Sequence, residues 1–422
     1  MPTLKKAIII GAGPAGLAAA LQLHRNNNIA ITVYELRPEP VTIGGAIGIF
    51  PNGMRLLHRM GLYEALLARG SCVTHLEMHS LQNGDIAKVD MSSWAHQQTG
   101  FGYLRICRRD LQDVLLTAVA EEHLPVSYNK RIVSVTESPT DVTVTFSDGS
   151  TDTADILIGC DGIHSGVRRL HVDPSIVPEY SGIAGTQSII QSTDLPDALK
   201  THGNAFMTCN GLLAVMPCSA AGDQLFWFFS RETPIPHSES GEARDGWEER
   251  RQQEVAGYKD TIRQLIDSGK GEWRETLTEM VNRTEFIGFY PIFRLPLGGK
   301  WSTSRTVLLG DAAHAMQPHA GQGVSMALED VFLLSRLLRD QERGLEDVFA
   351  KYEAIRRPRI MEISTLAAKN GRARRDVSSW RLWMKEYMAW ATYGLYNRLG
   401  LESWGIGQRH LVYDIDQVEV AV

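Results

Sequence analysis

Asp311 is the residue around which chemistry can be built in this chain. It follows Gly310 at the end of a short apolar run, Val307 to Leu309, and precedes His314, Pro318, Gly321 and Gly323. The run predicts a buried strand. Asp311 then leaves that strand at its carboxyl end, where open α/β sheets bind ligands. An apolar-periodic segment from Val324 to about Leu338 predicts the helix that follows. Its first-turn N–H groups are bare and carry partial positive charge, which suits an anion by about 0.3–1 kcal/mol per contact. Such a junction suits a ligand with hydroxyls at one point and developing negative charge at another. A flavin has both: ribitol hydroxyls for Asp311, and an N1/C2 carbonyl edge, anionic when reduced, for the helix start. The alternative is a strand-to-helix turn capped by Asp, with no ligand.

A second junction of this kind opens the chain. The β-branched run Ala7 to Ile10 predicts a strand, and Gly11-Ala12-Gly13-Pro14-Ala15-Gly16 leads into a helix from Leu17 to about His24. Gly11 permits the tight turn, Gly13 lets backbone approach a pyrophosphate, and Gly16 packs helix on strand. Pro14 falls in the first turn, where its missing N–H costs little. A second strand, Ile31 to Tyr34, ends at Glu35, 19 residues past Gly16 and followed closely by Arg37. An acid there suits the 2′,3′-diol of an adenosine ribose.

Three further stretches bear on the same ligand. Gly44 to Gly53 is dense in glycine, with Gly45 near its start, and carries no titratable residue between Gly44 and Phe50. Arg105 to Leu111 reads as the opening of a helix to about Glu122, with Arg108 two residues before Asp110. Ile156 to Gly159 predicts another buried strand, ending at Asp161-Gly162 with Ser165 and Arg168 beyond. Val142 to Phe146 alternates into Asp148-Gly149, a hairpin signal.

Gly310 to Asp330, read with the Gly11 loop and Asp161-Gly162, closely resembles the cofactor signatures of the class A (single-component) flavoprotein monooxygenases, the fold family of para-hydroxybenzoate hydroxylase. The resemblance covers residues 5 to about 340 and implies an α/β fold. A Rossmann-like FAD-binding domain would be interleaved with a mixed or antiparallel substrate sheet and followed by C-terminal helices. On the positions that match, it implies that Asp311 meets the ribitol and that Pro318, Gly321, Gly323 and Val324 lie beside the flavin ring. Arg108 would lie near the FAD, and Asp161, Gly162 and Arg168 would contact FAD or NAD(P)H. The implied activity is NADPH- or NADH-dependent hydroxylation or epoxidation by O2, through a flavin C4a-hydroperoxide. The cofactor carries that chemistry, while protein supplies position and electrostatics. No catalytic acid or base is assigned.

The expected division is 1–178 and 299–345 for the FAD-binding domain, 179–298 for the substrate domain and 346–422 for a helical end. Strands are expected at Ile183–Ser192, Leu212–Met216, Leu225–Phe229 and Phe286–Tyr290, with a polar helical insert around Glu242–Ser268. Trp227, Phe229, Tyr290 and Phe293 are the candidate substrate contacts, although aromatics on strands are commonly core. Many relatives in the resembled family carry an Arg on the first of these strands, where this chain has Thr186-Gln187. The expected substrate is therefore a neutral, largely hydrophobic aromatic or alkene. Trp380, Trp383, Tyr387 and Trp390 fall on one helix face at spacings of three, four and three. That face either closes the core or forms a lipophilic surface touching a membrane.

Composition fits an ordinary globular protein: 43% hydrophobic, 22% charged and a net charge of −6, which gives no nucleic-acid surface. Five cysteines without a C-x-x-C pair read as reduced thiols in the cytoplasm. No metal-ligand spacing stands out among the 13 histidines. No second G-x-G-x-x-G follows a strand, so a separate nicotinamide domain is not expected. An oxidase or dehydrogenase on the same scaffold, or a catalytically silent binding protein, are the competing readings.

Overall fold

Three apolar strands set the frame. In the computed structural model, which describes residues 4–40, 44–236, 243–270, 273–340 and 342–420, they lie side by side in a five-stranded sheet. Its order is Thr306–Leu308, Ile156–Gly159, Lys6–Ile10, Ala30–Tyr34 and Val126–Ser127, and every pairing is parallel. Both faces are covered, which is why these strands read as continuous apolar runs rather than as alternations. Helix Pro14–Asn27 packs on Arg108–Glu121 and on Gly323–Leu337. Because the strands Thr306–Leu308, Ile156–Gly159 and Lys6–Ile10 are neighbours running the same way, Gly11, Asp161 and Asp311 all emerge at the carboxyl end of the sheet.

A second sheet of seven strands takes the order Gly288–Arg294, Glu179–Gln191, Gln224–Glu232, Gly211–Pro217, Gly203–Thr208, His75–Ser80 and Gly84–Asp90. It is antiparallel except where Gly203–Thr208 runs parallel to His75–Ser80. Helices Ala243–Asp267 and Trp273–Asn282 cover one face, over a core of Phe206, Leu213, Val215, Trp227 and Phe229. Glu242, where the insert was expected to begin, lies outside the described residues.

Two expectations change here. The hairpin His75–Asp90 belongs to the seven-stranded sheet, so the boundary at 178 does not separate the two sheets. Its polar sequence, HLEMHS followed by GDIAKVD, offers no apolar run that would mark it. Leu104–Cys107 is a strand paired with Ala46–Ile49, and the helix begins only at Arg108. Leu104 and Ile106 alternate into the core, a period of two that is hidden by the arginines around them.

A buried ionic cluster lies beneath the Asp311 turn and ties it to the helices behind it. Arg356, fully buried in helix Leu345–Gly371, donates to Glu329 Oε2 at 2.6 Å, Asp330 Oδ1 at 2.7 Å and the Met326 carbonyl at 3.1 Å. Asp330 Oδ2 accepts from the Gly310 N–H at 2.8 Å and lies 2.7 Å from His314 Nε2. Burial alone would raise the Asp330 pKa, but the His314 and Arg356 charges outweigh it and hold it below the usual range. Glu329 Oε1 accepts from Asn52 Nδ2 at 2.8 Å, and Asn52 donates also to Gln322 Oε1 at 2.9 Å. Replacing Arg356 by Met leaves two acids buried without their shared cation. We expect the unfolding free energy, read from denaturant titration, to fall by about 3–5 kcal/mol; unchanged stability would remove Arg356 from this role.

Candidate active site

The Gly11 loop closes tightly and then opens. Gly11 has φ of +105°, and a Cβ there would stand 2.4 Å from the Cys160 carbonyl oxygen. A Cβ at Gly16 would stand 1.9 Å from the Gly11 oxygen, so helix and strand touch through bare backbone. At Gly13 a Cβ would meet nothing within 4 Å. This is the N-cap of Pro14–Asn27, and no side chain caps it. Ala15, in the first turn, lies against Gly310, where an added Cβ would come 3.4 Å from its own. Glu35 is turned toward the same loop by two backbone donors, Ala12 N–H at 2.8 Å and Arg37 N–H at 3.0 Å. Gln112 Nε2 ties the loop down through the Ala12 carbonyl at 2.5 Å.

The Asp311 turn depends on Gly310, whose φ of 59° and ψ of −138° suit only glycine. Asp311 has an exposed side chain that accepts no hydrogen bond from the described residues, yet protein surrounds it on the other sides. Desolvation pushes its pKa up, and the charges of His314 and Arg108 pull it partly back. A carboxylate lining a cleft behaves in this way. The stem of Arg108 passes 3.2 Å from where a Gly44 Cβ would be, so Arg108 borders both the Gly44 stretch and Asp311. Beyond Pro318–Ala320, Gly321 turns with φ of +63° against Phe50. Helix Gly323–Leu337 then begins without a side-chain cap, and a Cβ on Gly323 would meet nothing within 4 Å. Val324, the next residue, is partly buried against the main core.

Asp161 is less free. Its Oδ2 accepts from the Gly166 and Val167 N–H groups at 2.6 and 3.1 Å, while Oδ1 is buried without a partner. Burial raises its pKa against the opposing hydrogen bonds. The adjoining Gly162 has φ of +77° and open space beside it. Arg168 corrects the expectation of a nucleotide contact. It is buried, and its guanidinium donates to the carbonyls of Ile163 at 2.5 Å, Ala312 at 2.7 Å and Ile176 at 3.3 Å. Those bonds brace the Asp161 turn against the Asp311 turn, so the guanidinium serves the backbone of both turns.

The pleat of the second sheet corrects two more assignments. Trp227 and Phe229 point into the core under the helices, where Trp227 Nε1 donates to Thr284 Oγ1 at 3.0 Å. Phe226 and Phe228 point the other way. The Phe226 ring lies so close to Gly45 that a Cβ there would be 2.0 Å from it. Tyr290 shares that side by register, being paired with Gly185, which pairs with Ser230. Phe293 instead packs with Tyr180 and Trp247 near the strand end. Spacing could not say which of two adjacent aromatics faces the cleft; only the register does. The buried Glu329-Asp330 pair was also missed, though two adjacent acids inside an apolar helix are themselves a signal that a cation must reach them. His75, Glu77 and His202 bring their ligating atoms within 4.8 Å of one another at the other end of the sheet, apart from these residues.

A cleft with a bare helix start at Gly13, an acid turned to it from Glu35, an unpartnered carboxylate at Asp311 and a second bare helix start at Gly323 defines a site for a flavin dinucleotide. An FAD-binding domain family model matches residues 5–262 and 297–367. The chain is 30% identical over 370 residues to 6-hydroxynicotinate 3-monooxygenase of Pseudomonas fluorescens, covering 86% of this chain and 90% of that protein. It is 28% identical over 389 residues to salicylate hydroxylase of Pseudomonas putida, covering 86% and 84%. In fold it is similar to Klebsiella pneumoniae HpxO complexed with FAD and uric acid, with a TM-score of 0.77, 23% identity and 92% of each chain covered. The chain belongs to the class A FAD-dependent monooxygenases, the family of para-hydroxybenzoate hydroxylase. It is an oxidoreductase whose cofactor is FAD, with NAD(P)H the usual co-substrate of such hydroxylases.

Glu35 would hold the adenosine ribose, the Gly13 amides the pyrophosphate, Asp311 the ribitol, and the Gly323 helix start the ring edge. Two outcomes follow. Asp311→Ala should weaken FAD binding by about 1–3 kcal/mol, the cost of a lost charged hydrogen bond, read as the flavin dissociation constant in a fluorescence titration; wild-type affinity would remove Asp311 from the ribitol. Trp227→Ala should lower stability by about 3–5 kcal/mol as a core deletion, while Phe228→Ala alters turnover at near-normal stability. The reverse pattern in melting and kinetics would invert the assignment of faces.

Proposed function

We propose that the protein inserts one oxygen atom of O2 into an electron-rich aromatic ring, carried by a largely hydrophobic molecule, between the flavin site and the seven-stranded sheet. One observation carries this reading. The side of the sheet pressed on Gly45 presents Phe226, Phe228, Ile189 and Leu212, with Tyr290, Gln187 and Ser230 among its polar groups. None of these strand positions is charged. The nearby Arg105 guanidinium is engaged with the Phe226 ring, 4.9 Å from its centroid, and with Tyr103 Oη at 3.1 Å. An apolar wall binds by surface burial, at roughly 25 cal/mol per Å². It also excludes water from the reacting atoms.

When bound, FAD would pass two electrons from NAD(P)H to O2, so that one oxygen atom becomes electrophilic and enters the ring while the other leaves as water. The chain's own residues hold the partners: Asp311 and the Gly323 helix start fix the cofactor, and the Phe226 face orients the ring. The five cysteines are free thiols, which fits a reducing compartment such as the cytoplasm.

A second reading is favoured by Arg374. It is buried, donates to the Asn370 carbonyl at 2.7 Å, and its Nε has no partner. Desolvation lowers its pKa to about 10, with no acid to offset the burial. His319, in the flavin loop, feels that charge; burial first and then Arg374 push it down to about 3, and its Nε2 is also unpartnered. A ring bearing an acidic group would satisfy both, as the aromatic acids naming several relatives suggest.

Matched neutral and carboxylate arenes, with labelled O2 and mass spectrometry of the product, separate the two. Neutral arenes should stimulate NAD(P)H oxidation and gain one labelled oxygen. Preference for carboxylates, falling about tenfold (about 1.4 kcal/mol) in Arg374→Gln, would install the second reading. Absence of oxygenated product from both classes would sink the proposal.

A further inference from the structure

Helix Ser379–Arg398 does not close the core. Of its 20 residues only Glu386 is buried, where it accepts from Asn83 Nδ2 at 2.9 Å. The outward side carries Trp380, Trp383, Tyr387, Met388, Trp390 and Leu395, each more than half exposed. Trp383 and Tyr387 stack with ring centroids 5.8 Å apart, and Tyr387 leans on Trp390 at the same distance. The turn that follows adds Trp404, also 65% exposed. A contiguous apolar surface of this kind marks a docking face.

We propose that this helix lies in the plane of an anionic lipid surface, its aromatic side sunk into the headgroup boundary. Charge decides between a membrane and a second copy of the chain. The helix itself carries Arg381, Lys385 and Arg398 against a single acid, the buried Glu386, in a chain whose net charge is −6. Arg381 and Lys385 flank the aromatic side, and Arg398 ends it. A two-fold contact through this face would bring both copies' cations together in one apolar interface. Anionic headgroups would neutralise the same cations instead. Tryptophan and tyrosine are the side chains that settle at the headgroup level, and an amphipathic helix with a basic rim lies in that plane. No helix among the described residues is long and apolar enough to cross a membrane, so the contact is peripheral.

The attachment of the helix gives the contact a direction. The preceding segment is tied to the flavin loop through Asn370 Nδ2 and the His319 carbonyl at 3.0 Å, and to the second sheet through Val377 N–H and the Cys209 carbonyl at 2.8 Å. A docked helix therefore holds the junction of flavin loop and sheet next to the lipid. The inference stands on the exposed face and does not depend on which substrate is oxidised.

The test is flotation of the FAD-loaded protein with vesicles of phosphatidylcholine, alone or mixed with phosphatidylglycerol, at low and high salt. The wild type should float with the anionic vesicles, and high salt should weaken it. A W383S/Y387S/W390S variant and, separately, R381E/K385E should each lose about tenfold in partitioning, with flavin content and melting temperature unchanged. Recovery that is the same with and without anionic vesicles would overturn the proposal. So would a lipid-free dimer, seen by light scattering and abolished by the aromatic variant, which would give the face to a second copy.

Discussion

The Arg356 ion cluster is the constraint on which the rest of the site depends. Taking a guanidinium and two carboxylates out of water is expensive, and close hydrogen-bonded geometry has to offset that cost. The geometry here also fixes the backbone. Asp330 holds the Gly310 N–H, and Glu329 holds Asn52, which holds Gln322 at the foot of the second helix start. The two ends of the flavin loop are thus anchored to adjacent residues of one buried helix turn. That loop turns through Gly310 and Gly321, both with positive φ, and sets Ala312, Ala313 and Ala320 into the main core.

Much of the FAD-binding frame was legible in the order of residues. Continuous apolar runs ending in glycine marked three neighbouring strands, Lys6–Ile10, Ile156–Gly159 and Thr306–Leu308, because strands buried on both faces cannot alternate. The Gly11, Glu35 and Asp311 positions followed from the same junctions, and the structure brings them to one sheet edge. What could not be read was mostly register. Trp227 and Phe226 are neighbours in the chain and opposites in the fold, and only pairing with Val215 and Met216 separates them. Arg168 has the right spacing for a ligand contact, but it is buried and gives three of its N–H donors to backbone carbonyls. The hairpin His75–Asp90 was invisible because its polar sequence carries no hydrophobic pattern to detect.

The C-terminal region shows the opposite failure. Helical periodicity placed the tryptophans on one face correctly, yet an apolar face looks the same whether protein or something else covers it. Burial of Glu386 and exposure of the aromatic side settle the orientation. The segment before the helix, from Asn370 to Val377, then becomes a mechanical link. It touches the flavin loop at one end and the strand ends at the other, with Arg374 enclosed between them.

Strand Gln224–Glu232 divides its aromatics cleanly between two jobs. Trp227 and Phe229 belong to the packed helical layer, whereas Phe226 and Phe228 belong to the smaller clusters on the opposite side. Changes at Phe228, which is only partly buried, disturb few of the contacts that keep the sheet folded. Selectivity in such a protein can therefore drift over generations, one side chain at a time, with little penalty in thermal tolerance. A pleated strand of this sort separates the evolution of what an enzyme accepts from the evolution of whether it survives.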